Sequence, residues 1–285
     1  MQTTRRHAIQ SLSAGGLLLP GLLSEMLAEE DAGPNPLAPR KPHFPAKAKQ
    51  VIFMFMNGGV SHVDTFDPKP YLTRNHDKKL TKGRRYYKGA DWEFHRHGQC
   101  GTEVSELFSH MGAMMDDICL VRSMTNINND HFGATIALHS GSDTFKRPSM
   151  GSWLSYGLGT YNANLPAFMV ISPGLPYAGG QVWGSDFLPV LHQGTRIIPG
   201  PEPVANMHPR STSAEEQEAD LGLLDFFNRQ HLKGRESDGN LRARIKSFET
   251  AYGMQSAAPE AFDLGKETDA THQLYGLERG DTRSF

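Results

Sequence analysis

Residues 51–70 read VIFMFMNGGVSHVDTFDPKP. Val51 to Met56 is an apolar run with the length of a buried strand, and it stops at once in Asn57-Gly58-Gly59. A dense polar set follows: Ser61, His62, Asp64 and Asp67. Open α/β sheets hold their ligands in the crevice outside the carboxyl ends of the strands, so a strand that releases His and Asp at a Gly-rich turn marks a candidate site. The same residues have a structural reading, an ordinary strand–turn junction in which Asp67-Pro68 starts a turn.

Upstream, Arg5-Arg6 precedes a weakly apolar, glycine-containing segment, Ala8 to Leu23, followed by acidic Glu25, Glu29, Glu30 and Asp31. A twin-arginine pair before such a segment reads as an export signal over residues 1–28, with cleavage near Ala28. The expected destination is periplasmic or extracellular. Gly15, Gly16, Pro20 and Gly21 break the run, which is too short for a comfortable membrane span, and no later segment reads as one. A buried amphipathic N-terminal helix is the alternative. Residues 29–49 form a Pro-rich linker through Pro34, Pro36, Pro39, Pro42 and Pro45.

Hydrophobic residues at 38% and charged residues at 21% fit a globular domain rather than a disordered chain. A net charge of −2 gives no field that would recruit nucleic acid. Cys100 and Cys119 lack metal-type spacing; an oxidising compartment would permit a disulfide between them, which spacing alone does not establish.

Downstream, the basic and tyrosine-bearing stretch 74–91 reads as a solvated loop or hairpin, or as a patch for an anionic substrate. Ser105 to Met115 has helical apolar spacing with Ser105 as N-cap. Ile118 to Val121 reads as a second buried strand ending at Arg122, and Asp130 caps a helix from His131 to His139. Ser149 to Tyr156 reads as a helix, Ala167 to Ser172 as a third strand, and Ser213–Leu232 and Asn240–Met254 as long helices. The alternation predicts an α/β sheet with helical cover. His95 and His97 would share one strand face, as surface residues or as metal ligands. No acyl-hydrolase elbow, phosphate-binding loop or dinucleotide glycine motif is present.

The ordered blocks NGGVSHVDTFDPKP (57–70), HGQCGTEVSELF (97–108), HFGATIALHSG (131–141), RPSMGSWLSYGLG (147–159), NLPAF (164–168) and RIKSFETAYGMQSAAPEAFDL (244–264) resemble an exported bacterial group, domain-of-unknown-function family 1501. The resemblance runs from about residue 50 to the end. That family is grouped by resemblance with the alkaline phosphatase and sulfatase superfamily, which hydrolyses phosphate or sulfate esters at metal sites. The resemblance thus implies an alkaline-phosphatase-like (sulfatase-like) open α/β sheet flanked by helices over residues 50–285, an anionic ester substrate and a divalent metal cofactor. Leu274 onward leads into what, in the resembled family, is a further helix and the second half of the sheet. The domain is therefore expected to be cut short, its remaining Asp and His ligands lying in that second half.

Within this resemblance, Asn57 stands where the superfamily's first strand delivers an Asp metal ligand. A neutral amide is a weaker ligand for a hard cation, which leaves Asn57 a substrate-binding role. His62 and Asp64 lie close enough to replace that Asp, as ligands or as an acid–base pair. Their structural reading is that His62 bonds the turn and Asp64 caps a local helix. In HFGATIALHSG, Gly141 fits the terminal glycine of the sulfatase motif, and counting back puts His131 at the nucleophile position. The motif's proline, serine and arginine are absent, so formylglycine chemistry is not expected. His131 at a helix N-terminus is an acid–base, ligand or nucleophile candidate, although the helix dipole there disfavours imidazolium. Arg122 is a candidate for binding an oxyanion through its planar fork, or for pairing with Asp116 or Asp117. His139, at the helix end, has a structural reading as a favourable cation.

The expected function is an exported hydrolase of phosphate or sulfate esters, incomplete as a catalyst. His131 and His62 are the catalytic candidates, Asn57 and Arg122 the substrate-binding ones, and Asp64 with His62 the metal ligands. The alternative is a catalytically degenerate hydrolase fold that serves as a binding or cell-surface interaction module.

Overall fold

Short polar residues set the helix starts. In the computed structural model, which describes residues 36–278 apart from 82, 163, 201, 206–212 and 236–237, together with 21, 23, 26 and 27, the architecture is mixed α/β with two small sheets and several helices. Arg5-Arg6, most of the expected signal and the expected cleavage site near Ala28 lie outside the described residues. The described residues group into two compact units. One comes from 52–127, the other from 128–278 with the residues preceding 52.

In the first unit, Gly58 and Gly59 take φ of 83° and 72°, the left-handed region that suits glycine, and Gly59 N–H closes a turn on Met56 O at 3.0 Å. Helices α1 (His62–Thr65) and α2 (Pro70–Arg74) follow, the second opening with proline at its first position, where no N–H is needed. The basic stretch folds back on itself, with Tyr87 N–H on Lys78 O at 3.0 Å and Leu80 N–H on Arg85 O at 2.9 Å. Its conformation is that of a hairpin. Strands β1 (Phe94–His97) and β2 (Thr102–Ser105) pair antiparallel, Phe94 opposite Ser105 and His97 opposite Thr102. The Asp116 carboxylate closes their turn by accepting the N–H groups of Gln99 at 2.9 Å and Cys100 at 2.8 Å, which hold it below the usual carboxylate range. Val104 and Met115 are its buried apolar side chains.

In the second unit, helix α4 (His131–Ser140) starts at Asp130, whose carboxylate accepts from Phe132 and Gly133 N–H, and stops at Gly141 in the left-handed conformation. Helix α5 (Met150–Leu158) starts at Ser149. Strands β3 (Met169–Ile171) and β4 (Thr195–Ile197) pair parallel, Met169 with Thr195 and Ile171 with Ile197. One core cluster joins Ala178, Val182 and Trp183 to Ile136, Phe168 and Val170; another joins Met254 and Ala258 to Leu165, Val204 and Phe262. Helices α6 (Ala214–Leu232) and α7 (Gly239–Ala261) start at Ser213 and Asp238, and α8 (Asp269–Leu274) at Thr268.

Two expected strands are not formed. Val51–Met56 and Ile118–Val121 have no strand structure, and Ile52 and Met54 are each 85% exposed. Backbone N–H and C=O groups settle into a strand only against a neighbour, and no strand of the described residues pairs with either run. The helix expected over 105–115 is capped by Ser105 as read, with Leu107 N–H on its hydroxyl, but it breaks into a 3₁₀ turn (Glu106–Phe108), helix α3 (Ser109–Gly112) and a second 3₁₀ turn (Met115–Asp117). The His97 ring lies over Gly112, where a Cβ would sit 2.6 Å from Cε1, so this segment follows the β1–β2 hairpin rather than a straight helix.

Candidate functional site

The polar turn after residue 56 is built locally. Ser61 stands at the N-cap of α1, and its hydroxyl donates to the Asp64 carboxylate at 2.5 Å. Thr65, buried beneath, returns its hydroxyl to Ser61 O at 2.9 Å. Asp64 thus holds the third helical position, where a carboxylate also meets the positive end of the peptide dipoles. His62 is the first residue of α1; its carbonyl accepts from Phe66 at 3.0 Å and Asp67 at 2.9 Å, while its side chain, like Asn57, is exposed.

Asp67 is ion-paired with Lys69. Lys69 Nζ lies 2.6 Å from its carboxylate and holds it below the usual range, chiefly by hydrogen bonding and then by charge, with Arg122 and His62 adding in the same direction. Arg122, exposed, donates to Glu103 O at 3.3 Å. The pairing with Asp116 that the sequence left open is not the one formed; Asp116 serves the hairpin turn. Asp67 stood in the polar set read from the sequence, whereas Lys69 is the partner that the sequence reading did not name. The spacing of Asp67 and Lys69 on either side of Pro68 is the local signal that could have found it.

His131 lies in the other unit. It opens α4 and its exposed ring stacks on Tyr177, centroids 4.7 Å apart and planes 12° apart. Below it, Thr135 donates to His131 O at 2.6 Å. His139 donates through Nδ1 to Thr135 O at 2.8 Å, yet burial keeps its pKa below the ordinary value, so it is not the favourable cation that its helix position suggested.

A second histidine in this unit was not visible in the sequence. His192 is fully buried, its Nδ1 2.9 Å from the Ser155 hydroxyl and its ring edge-on to Tyr156 at 5.3 Å. Burial, and then the Arg40 charge, push it down to about 4. Ser149, Ser152 and Ser155 line the buried face of α5, and Ser152 donates to Gly184 O at 3.0 Å. The bond ties α5 to the 3₁₀ turn Val190–His192.

His95 stands 3.8 Å from Glu93, whereas the buried Nε2 of His97 has no hydrogen-bond partner. Among the described residues no three His, Cys, Asp or Glu side chains converge as a metal site. Asp64 accepts from Ser61 through one carboxylate oxygen. Cys100 and Cys119 are free and exposed. No described helix is long and apolar enough to cross a membrane.

The chain is thus a mixed α/β protein with a polar turn and a Lys69–Asp67 ion pair following an apolar run. The family model described as "Protein of unknown function (DUF1501)" matches residues 48–285, and the chain belongs to that family. No curated protein and no solved structure matches it.

Proposed function

We propose that this chain is an exported protein of alkaline-phosphatase-like descent that recognises an anionic phosphate or sulfate ester at the turn Asn57–Asp67, and that its described residues are incomplete as a catalyst. The observation that carries the reading is the Lys69–Asp67 ion pair at 2.6 Å, with Arg122 and His62 acting on the same carboxylate, downstream of a turn that Gly58 and Gly59 make in the left-handed region. Arg122 supplies a planar fork suited to an oxyanion, and Lys69 a compact point charge. His62 is the group nearest to acid–base work and Asn57 a neutral contact for a substrate oxygen. His131, in the other unit, is a separate acid–base candidate at a helix start.

The alternative, a binding or cell-surface interaction module on a degenerate hydrolase fold, is favoured by the engagement of Asp64 with Ser61. Hydrolysis of aryl phosphate and aryl sulfate, with and without added divalent metal, separates the two. The expected result is no metal-dependent turnover, together with inorganic phosphate binding that weakens in Arg122→Ala. Metal-dependent turnover that disappears in His62→Ala or Asp64→Ala would overturn the incompleteness, and absence of any anion binding would leave the interaction module.

A further inference from the structure

Helix α6 carries an apolar face that is left about half exposed among the described residues. Gln217, Leu221, Asn228 and Leu232, spaced for one side of a helix, are its half-buried positions, and Gln217 donates to Gln255 of α7 at 2.6 Å. Leu223, Phe226 and Phe227 point the other way, and with Leu224 on the rim all are about half exposed. Phe226 and Phe227 pack edge-on at 5.6 Å, forming a ridge rather than scattered side chains. Isolated exposed apolar residues need no explanation, but a ridge on one helix face does.

Charge along α6 is divided by sequence. Glu215, Glu216, Glu218 and Asp220 fill its first turns, whereas Arg229 lies in its last turn, Lys233 caps its end and Arg235 follows just beyond it. Part of this serves the helix dipole, which favours acids at the start and bases at the end. It also dictates a partner. A second α6 laid antiparallel brings each acidic half against a basic half and buries the two ridges at the centre; a parallel copy sets like charges together. Asp225, the acid nearest the ridge, is already paired with Arg229 at 2.7 Å on the flank.

We propose that two copies of this chain associate through antiparallel α6 helices, about a two-fold axis near residue 225. Leu223 of one copy then faces Phe227 of the other, and Asp220 faces Gln230. At 1.5 Å per residue the 19-residue helix offers about 28 Å of contact. The pair buries on the order of 1,000 Å², at the small end for specific interfaces, so the dimer is weak and concentration-dependent.

Sedimentation equilibrium of the full chain over a concentration series tests this. The expected result is reversible dimerisation that weakens at high salt and falls roughly tenfold or more in Leu223→Glu and Phe227→Glu. Orientation is read in a Cys100→Ser, Cys119→Ser background. Asp220→Cys and Gln230→Cys chains, mixed and oxidised, should crosslink to each other and not to themselves. A chain that stays monomeric throughout, a dimer indifferent to both glutamates, self-crosslinking of either cysteine variant, or occupation of the ridge by a different protein in place of a second copy would each overturn the proposal.

Discussion

Acidification should loosen the unit that holds His192 through that one side chain. Its imidazole is sealed inside, bonded to Ser155, with Arg40 adding positive charge nearby, and its pKa falls from the ordinary 6.5 to about 4. The fold therefore holds the neutral ring, while the unfolded chain takes up a proton first. Stability from this source is complete above about pH 6.5, is lost as pH falls from there through about 4, and changes no further below. At about 1.4 kcal/mol for each tenfold in protonation, the full loss is about 3 kcal/mol, a large part of an ordinary domain's stability. His192→Gln retains an amide able to bond Ser155 but cannot titrate. In a Trp92→Phe background, urea unfolding followed by tryptophan fluorescence reports on this unit, since Trp183 lies in its core and Trp153 packs edge-on to Tyr156. Wild type should lose about 3 kcal/mol more than His192→Gln across that range, because the carboxylates titrating in both chains cancel. An equal slope in the two chains, or an imidazole NMR titration of His192 centred near 6.5, would refute the reasoning.

Three further outcomes are expected. Asp130→Ala removes the carboxylate that accepts from Phe132 and Gly133 and should destabilise α4 by about 1 kcal/mol in thermal unfolding, with Asp130→Asn much closer to wild type. Gly112→Ala drives a methyl into the His97 ring and should cost about 1–3 kcal/mol, most of it recovered in the His97→Ala, Gly112→Ala double variant; equal losses in both would exclude the contact. Changing Arg5 and Arg6 to lysine should trap a reporter fused after residue 49 in the cytoplasm, and normal export of that variant would remove the twin-arginine reading.

Helix starts were legible because a cap is a local event. Asp130, Ser149 and Ser213 each accept N–H groups two or three residues on, and the sequence shows each before its helix. Strands were legible only where a partner exists. Met169–Ile171 forms against Thr195–Ile197, while the equally apolar Val51–Met56 does not form, since apolar content says nothing about pairing across the chain. The same distance hid His192, 37 residues from Ser155. The serines at 149, 152 and 155 were a faint local sign, three small polar groups on one helix face that turns out to be buried. In the candidate site, the turn residues His62 and Asp64 were visible by type and spacing. The bond from Ser61 to Asp64 and the pairing of Lys69 with Asp67 needed the fold.

The proposed role rests on an anion entering the turn Asn57–Asp67. Backbone amide NMR during titration with inorganic phosphate, against a chloride control at equal ionic strength, tests it most directly. Saturable shifts at Gly58, Gly59 and the Arg122 segment, abolished in Arg122→Ala, are the predicted result. Shifts that never saturate, or that gather on the exposed basic hairpin and spare the glycine turn, would contradict it.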